Sequence, residues 1–231
     1  MYKTFNNRIK SETIRWQAYT GKKVFLPLGN PRKAVRIRHL IRHYTACMAG
    51  VDMLDARDPY TAEHSMRVSK MCTRLGLMMR MPRSKIVAAM IAAGAHDIGK
   101  VGVPDSVLLK EGPLDDHEFD VIKHHPGIGA DILLKIGGFE KIAAGVWHHH
   151  ERWDGSGYPD QLAGDSITPW VQVVGLADAF DALIHPRVYK PAYPQEQARN
   201  MIVSGACGVF HPLLLVCFAQ HIGAISRAVY P

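Results

Sequence analysis

Adjacent His96 and Asp97, in Ala95-His96-Asp97-Ile98-Gly99-Lys100, close the run Ile86 to Gly94, which is apolar enough to be read as a buried helix. A carboxylate in such a place is costly. Left unpaired it must take up a proton or lose several kcal/mol, so Asp97 calls for a cation nearby. A divalent metal ion is the simplest candidate, because imidazole supplies one ligand and the two oxygens of a carboxylate can reach two ions. Taken alone, the pair could equally be a hydrogen-bonded structural contact. The rest of the chain weighs against that. His64 in Tyr60-Thr61-Ala62-Glu63-His64-Ser65, His125 before Pro126, His149-His150-Glu151 after Gly145-Val146-Trp147, and Asp178 in Ala177-Asp178-Ala179-Phe180-Asp181 bring the nitrogen and oxygen ligand candidates to seven.

This ordered set resembles the HD superfamily of metal-dependent phosphohydrolases. Within it, His149-His150-Glu151-Arg152-Trp153-Asp154-Gly155-Ser156-Gly157-Tyr158-Pro159 is similar to the signature of the HD-GYP subfamily, whose members degrade cyclic dinucleotides. The resemblance runs from about Asp58 to Tyr189 and continues more weakly to near Phe218. It implies that Asp97 bridges two metal ions, with His64, His96 and Asp178 on one and His125, His149 and His150 on the other. Some family members hold a third metal through a glutamate four residues before the first histidine. Tyr60 stands there in this chain, so two ions are expected. All-nitrogen and oxygen ligation suits iron, manganese or another divalent first-row ion, and no cysteine ligand points to a structural zinc cluster.

Two ions about 3.5–4 Å apart can carry a bridging hydroxide and clamp a phosphoryl group. The expected reaction is therefore phosphodiester hydrolysis of cyclic di-GMP to pGpG, GMP or both, by attack of a metal-bridging hydroxide. Lys100 offers a point charge for a phosphate oxygen, joining Asp97 in the catalytic set. By resemblance, Arg187 and Lys190 form a second phosphate clamp, Asp181 a contact to guanine and Asp58 a further substrate contact; for Asp58 and Asp181 a solvated charge is an equal alternative. Gly157-Tyr158-Pro159 implies a docking surface for diguanylate cyclase domains, beside the plain reading of a structural loop. Two other functions stay open: hydrolysis of another cyclic dinucleotide such as 3′,3′-cyclic GMP-AMP, and a slow-turnover sensor or protein-docking module. A homodimer is also left open.

The elements that must position these residues are helical. Thr61 opens a helix on which His64, Val68, Met71, Cys72 and Leu75 recur at steps of three and four, aiming His64 inward. Pro82 and Ser84 separate it from the helix ending at His96. Asp115-Asp116-His117-Glu118 has capping-box spacing and starts a helix expected to end at His124-His125-Pro126, with the next running from Ala130 to Ile136. Position alone leaves either histidine as ligand; the resemblance selects His125. Three consecutive residues, His148 to His150, cannot face one way on a helix, since successive side chains turn by about 100°. Here too the resemblance selects His149 and His150. Thr168-Pro169 opens a helix from Trp170 to Leu183, with Asp178 and Asp181 on one face. Gln195 to Val203 and Pro212 to Ile225 complete the bundle.

The expected fold is all-α: a single helical HD-type domain over residues 58 to 231, preceded by a basic helical extension over residues 1 to 57. Residues 1 to 30 are read as short or irregular structure, and a long helix is expected from Lys33 to Leu54. Residues 1 to 45 carry eleven Lys/Arg against Glu12, a net +10 of the whole chain's +7, leaving −3 elsewhere. The basic residues alternate with apolar ones as on an amphipathic helix with a solvated face, so no nucleic-acid polymer is expected as partner. Cys47, Cys72, Cys207 and Cys217 form no close pair and are read as reduced thiols of a cytoplasmic protein. No apolar run of the roughly 18 residues needed for a membrane span is expected.

Overall fold

The computed structural model describes residues 13–17, 23–27, 49–51, 54, 59–186 and 191–230. The chain divides into two compact units, Met1–Tyr44 and Thr45–Pro231. In the first, β1 (Thr13–Gln17) pairs antiparallel with β2 (Lys23–Pro27), Thr13 opposite Pro27 and Gln17 opposite Lys23. The expectation of irregular structure and no strands is corrected here. Thr-Ile-Arg-Trp-Gln alternates polar and apolar residues at the period of a strand, and Gly21 lies in the five-residue connection. The helix expected over 33–54 falls mostly outside the described residues, although 49–51 and 54 are helical with Val51 and Leu54 buried.

The second unit is helical, as expected. In α1 (Pro59–Met78), His64, Val68, Met71, Cys72 and Leu75 are all buried on one face. Pro82 precedes α2 (Arg83–Ala95), which has no polar side toward its end: Ile91 through Ala95 are buried consecutively, so the helix runs through the middle of the unit. It gives way to a 3₁₀ turn, Ile98–Gly102, and to the short α3 (Asp105–Leu108), which the sequence reading did not anticipate. The capping box of α4 (Asp116–Ile122) is complete. Asp115 Oδ1 accepts from Glu118 N at 2.8 Å, and Glu118 Oε2 accepts from Asp115 N at 2.9 Å.

Helix α5 (His125–Ile136) begins five residues earlier than expected, at the candidate ligand itself. Pro126 does not stop a helix there, because amide hydrogens of the first turn need no intrahelical acceptor. Next come α6 (Glu140–Trp147), α7 (Pro169–Ile184), α8 (Gln195–Val203) and α9 (Pro212–Val229). α7 is buried at most positions and packs on α1, α2 and α8, while α9 packs on α1 and α8.

One helix among the described residues, α9, is long and apolar enough by length and composition to cross a membrane, with mean hydropathy 1.4 over 18 residues. This corrects the expectation that no run reaches that length. Leu214, Phe218, Ile222, Ile225 and Val229 recur at three- and four-residue steps and are buried, so packing accounts for its apolar face.

Candidate metal centre

Five elements converge on one place. α1 contributes His64, the turn after α2 contributes His96 and Asp97, α5 opens with His125, the turn after α6 holds His149 and His150, and α7 contributes Asp178. All seven are buried except His150, which is half-buried. Their ligand atoms form overlapping triads, each within 4.8 Å: His64, His96 and Asp178; His125, His149 and His150; and, between them, His96, Asp97 and His149. Asp97 faces both sides. Its Oδ2 lies 3.4 Å from His96 Nε2 and its Oδ1 3.4 Å from His125 Nε2.

Such crowding requires tight backbone. Gly99 packs so closely on α5 that a Cβ there would lie 1.9 Å from the His125 carbonyl oxygen. Only glycine brings the His96-Asp97 turn this near to His125.

Four imidazoles are fixed through Nδ1. It donates to the Ala93 carbonyl in His96 (2.7 Å), to Ile122 in His125 (2.8 Å), to Val146 in His149 (2.6 Å), and to Asp181 Oδ2 in His64 (2.8 Å). Each Nε2 is thereby aimed into the cluster. Burial pushes His125 down to about 4 despite the opposing pull of Asp97, and burial followed by neighbouring imidazoles holds His149 and His150 well below their ordinary value. These rings are neutral at pH 7. The Nε2 atoms of His125 and His149 nevertheless stand 3.3 Å apart, two lone pairs facing each other with both Nδ1 hydrogens already committed. His96 Nε2 is buried without a hydrogen-bond partner, its nearest carboxylate oxygen being 3.4 Å away on Asp97, and such a group costs about 1–3 kcal/mol. A divalent cation removes both anomalies, so this donor set fits divalent metal ions.

The His64 side is different. His64 Nε2 is 3.1 Å from Asp178 Oδ1. Burial opposes charge on the ring, but the Asp178 and Asp181 carboxylates outweigh it and lift His64 to about 9. Without a metal ion, a proton lies between His64 and Asp178. Burial also works against ionised Asp97 and Asp178, yet Lys100 with the histidines, and His64 with His96, hold the two carboxyls well below the usual range.

Lys100 Nζ reaches Asp97 Oδ2 at 2.8 Å, at the partly open edge of the cluster. Asp181 does not fit the expected contact to guanine. It is wholly enclosed, with its carboxylate taken by His64, Arg67 and Tyr230, the last two missed in the sequence. Arg67 lies three residues beyond His64 on α1, a spacing that could have marked it; the contact of Tyr230 leaves no local signal. Asp58, Arg187 and Lys190 lie outside the described residues, as does the side chain of Tyr60.

The Gly155 to Pro159 loop folds back on the His149-His150 turn. Tyr158 stacks on His150, centroids 4.6 Å apart and planes at 26°, and a Cβ on Gly157 would lie 2.4 Å from the His150 carbonyl oxygen. Glu151 is no ligand candidate here, because its carboxylate accepts from the Asp160 and Leu162 amides at 2.7 and 3.0 Å and pins the far side of the loop. His148 turns away to Asp160 Oδ2 at 2.9 Å, and His124 to the Asp120 carbonyl at 2.8 Å.

Comparison with known proteins finds related sequences and a related fold. A family model described as an HD domain matches residues 50–210. A cyclic di-GMP phosphodiesterase of Vibrio cholerae serotype O1 is 48% identical over 134 residues, 55% of this chain and 27% of that protein. The 3′3′-cGAMP-specific phosphodiesterase 2 of the same organism is 36% identical over 173 residues, 73% of this chain and 33% of that protein. The chain thus spans about a third or less of the length of these two curated relatives. Among solved structures, an HDG"Y"P protein from Bdellovibrio bacteriovorus matches in fold, with TM-score 0.58 and 19% identity, over 70% of this chain and 52% of that one.

Proposed function

This chain belongs to the HD domain family, and from that premise we propose that it is a metal-dependent phosphodiesterase hydrolysing cyclic di-GMP to pGpG, GMP or both. The observation that carries the reading is the pair of ligand triads meeting at Asp97. In this proposal His64, His96 and Asp178 would hold one divalent ion and His125, His149 and His150 the other, with Asp97 placed between them. Iron or manganese suits the all-nitrogen and oxygen donors. When bound, such ions acidify water and neutralise phosphoryl charge.

The chain's own residues do the rest. The anchored Nδ1 atoms keep His64, His96, His125 and His149 in the ligating tautomer, and Lys100 holds Asp97 and presents positive charge at the open edge, where a phosphate oxygen would enter. Asp58, Arg187 and Lys190 complete the proposed substrate contacts. Pro159, Asp160 and Gln161 form the exposed side of the loop, available to a partner such as a diguanylate cyclase domain. A cytoplasmic setting goes with this reading, since it is where such a second messenger is made and degraded.

A second substrate has specific support. The relative matched over 173 residues is named for 3′3′-cGAMP. Anaerobic incubation with iron(II) or manganese, supplying each cyclic dinucleotide in parallel and resolving products by chromatography, separates the readings. Linear product mainly from cyclic di-GMP supports the first, and preference for the mixed ring supports the second. No product from either, with metal bound, contradicts both and favours a sensor.

A further inference from the structure

His96, His125 and His149 each anchor Nδ1 on the carbonyl three residues back, at the frayed end of a helix or turn where that oxygen is available. His64 cannot do so. It lies within α1 rather than at a helix end, and its partner comes from 117 residues further along the chain. We infer that Asp181 is a positioning residue for the metal ion held by His64, His96 and Asp178, with Arg67 and Tyr230 holding Asp181 in turn; this rests on the two-ion reading above.

The carboxylate is saturated. Oδ2 accepts from His64 Nδ1 at 2.8 Å and Arg67 Nη2 at 3.0 Å, while Oδ1 accepts from Arg67 Nε at 2.9 Å and the Tyr230 hydroxyl at 3.0 Å. His185 Nδ1 lies 3.4 Å from Oδ1 and donates to the Asp181 carbonyl at 3.1 Å. With no exposed surface and every lone-pair direction occupied, Asp181 has neither access nor capacity for a substrate base. It has what orienting a ligand requires: a rigid acceptor on the nitrogen opposite the coordinating one. A carboxylate in that place fixes the tautomer and makes the ring a stronger donor, and removing such a partner lowers metal affinity typically by about 10- to 100-fold.

The effect is confined to one ion. On the other side His125 and His149 are anchored by backbone, and no carboxylate anchors His150, so Asp181 has no counterpart there among the described residues. Tyr230 immediately follows α9, which ties the end of that helix to the His64 side of the centre.

The test is calorimetric titration of the full metal-free chain with manganese(II), comparing wild type, Asp181→Asn and Tyr230→Phe, with circular dichroism as a check on fold. Asp181→Asn is expected to weaken one ion by about 10- to 100-fold and leave the other within about twofold. Tyr230→Phe is expected to weaken the same ion by about threefold, the effect of one supporting hydrogen bond. Wild-type affinity for both ions in Asp181→Asn, or equal weakening of both, overturns the inference. Should Asp181→Asn fail to fold, an unchanged isotherm for Tyr230→Phe overturns it instead. A wild-type chain that binds no manganese sinks the two-ion reading and this inference with it, whereas two ions in wild type and unchanged binding in the variant sink the inference alone.

Discussion

The two sides of the centre are built from the same kind of residue and behave as opposites. On one, His64 lies between two carboxylates that raise it to about 9, and a proton occupies the place offered to a metal ion. On the other, burial drives His125, His149 and His150 down, and the Nε2 atoms of His125 and His149 face one another bare. Imidazole is a poor predictor of its own charge. Whether its neighbours are carboxylates or more imidazole decides whether a metal ion must compete with a proton or simply fills a vacancy of charge.

The largest expected effect comes from removing what the two sides share. Asp97→Ala should lose both ions, as read by elemental analysis after gel filtration, and lower turnover by about 10³-fold or more. Wild-type turnover in that variant would contradict a bridging role. Gly157→Ala forces a Cβ to within 2.4 Å of the His150 carbonyl oxygen and should act on the all-histidine side. A loss of about 1–3 kcal/mol in denaturant unfolding is expected, with the ion nearest His150 weakened more than its neighbour. Lys100→Ala should keep both ions and slow turnover by about 10- to 100-fold.

The smallest effect sharpens the contrast most, because the two sides respond to pH in opposite directions. In the metal-free chain His125, His149 and His150 have depressed values, so the unfolded state binds more protons below its own value of 6.5, and stability falls as pH drops from 6.5 toward 4. His64 is raised, so its contribution is fully present below 6.5 and is lost as pH rises through about 9. For His64 and for His125 the contribution is on the order of 3 kcal/mol. Denaturant unfolding of the metal-free chain should therefore show greatest stability at about pH 7. A monotonic rise from pH 5 to 9 would mean that the His64 side is not held as described.

Much of this was legible in the sequence because five of the candidate ligands, His96, Asp97, His125, His149 and His150, sit at helix ends or beginnings, where the local pattern and the family motif reinforce each other. His96-Asp97 closes an apolar run, His149-His150 follows one, and the buried face of α1 was read residue by residue. Asp181 was misassigned for a physical reason. Its helix spacing from Asp178 shows that the two share a face, but not that the face meets Arg67 and the residue after α9, which are distant in sequence. The start of α5 was misplaced because Pro126 looks like a terminator until its neighbour's position in the first turn is known. The β1–β2 pair was overlooked because glycine and proline nearby outweighed a five-residue alternation. Pairing partners are what a short strand cannot announce by itself.

The most direct measurement is the number of protons released as each manganese ion binds, obtained by titrating the metal-free chain near pH 7.5 in buffers of different ionisation enthalpy. Two ions are predicted, the one on the His64 side displacing about one proton more than the other, over and above any proton released by metal-bound water. A single ion, or two that release protons equally, would contradict the account.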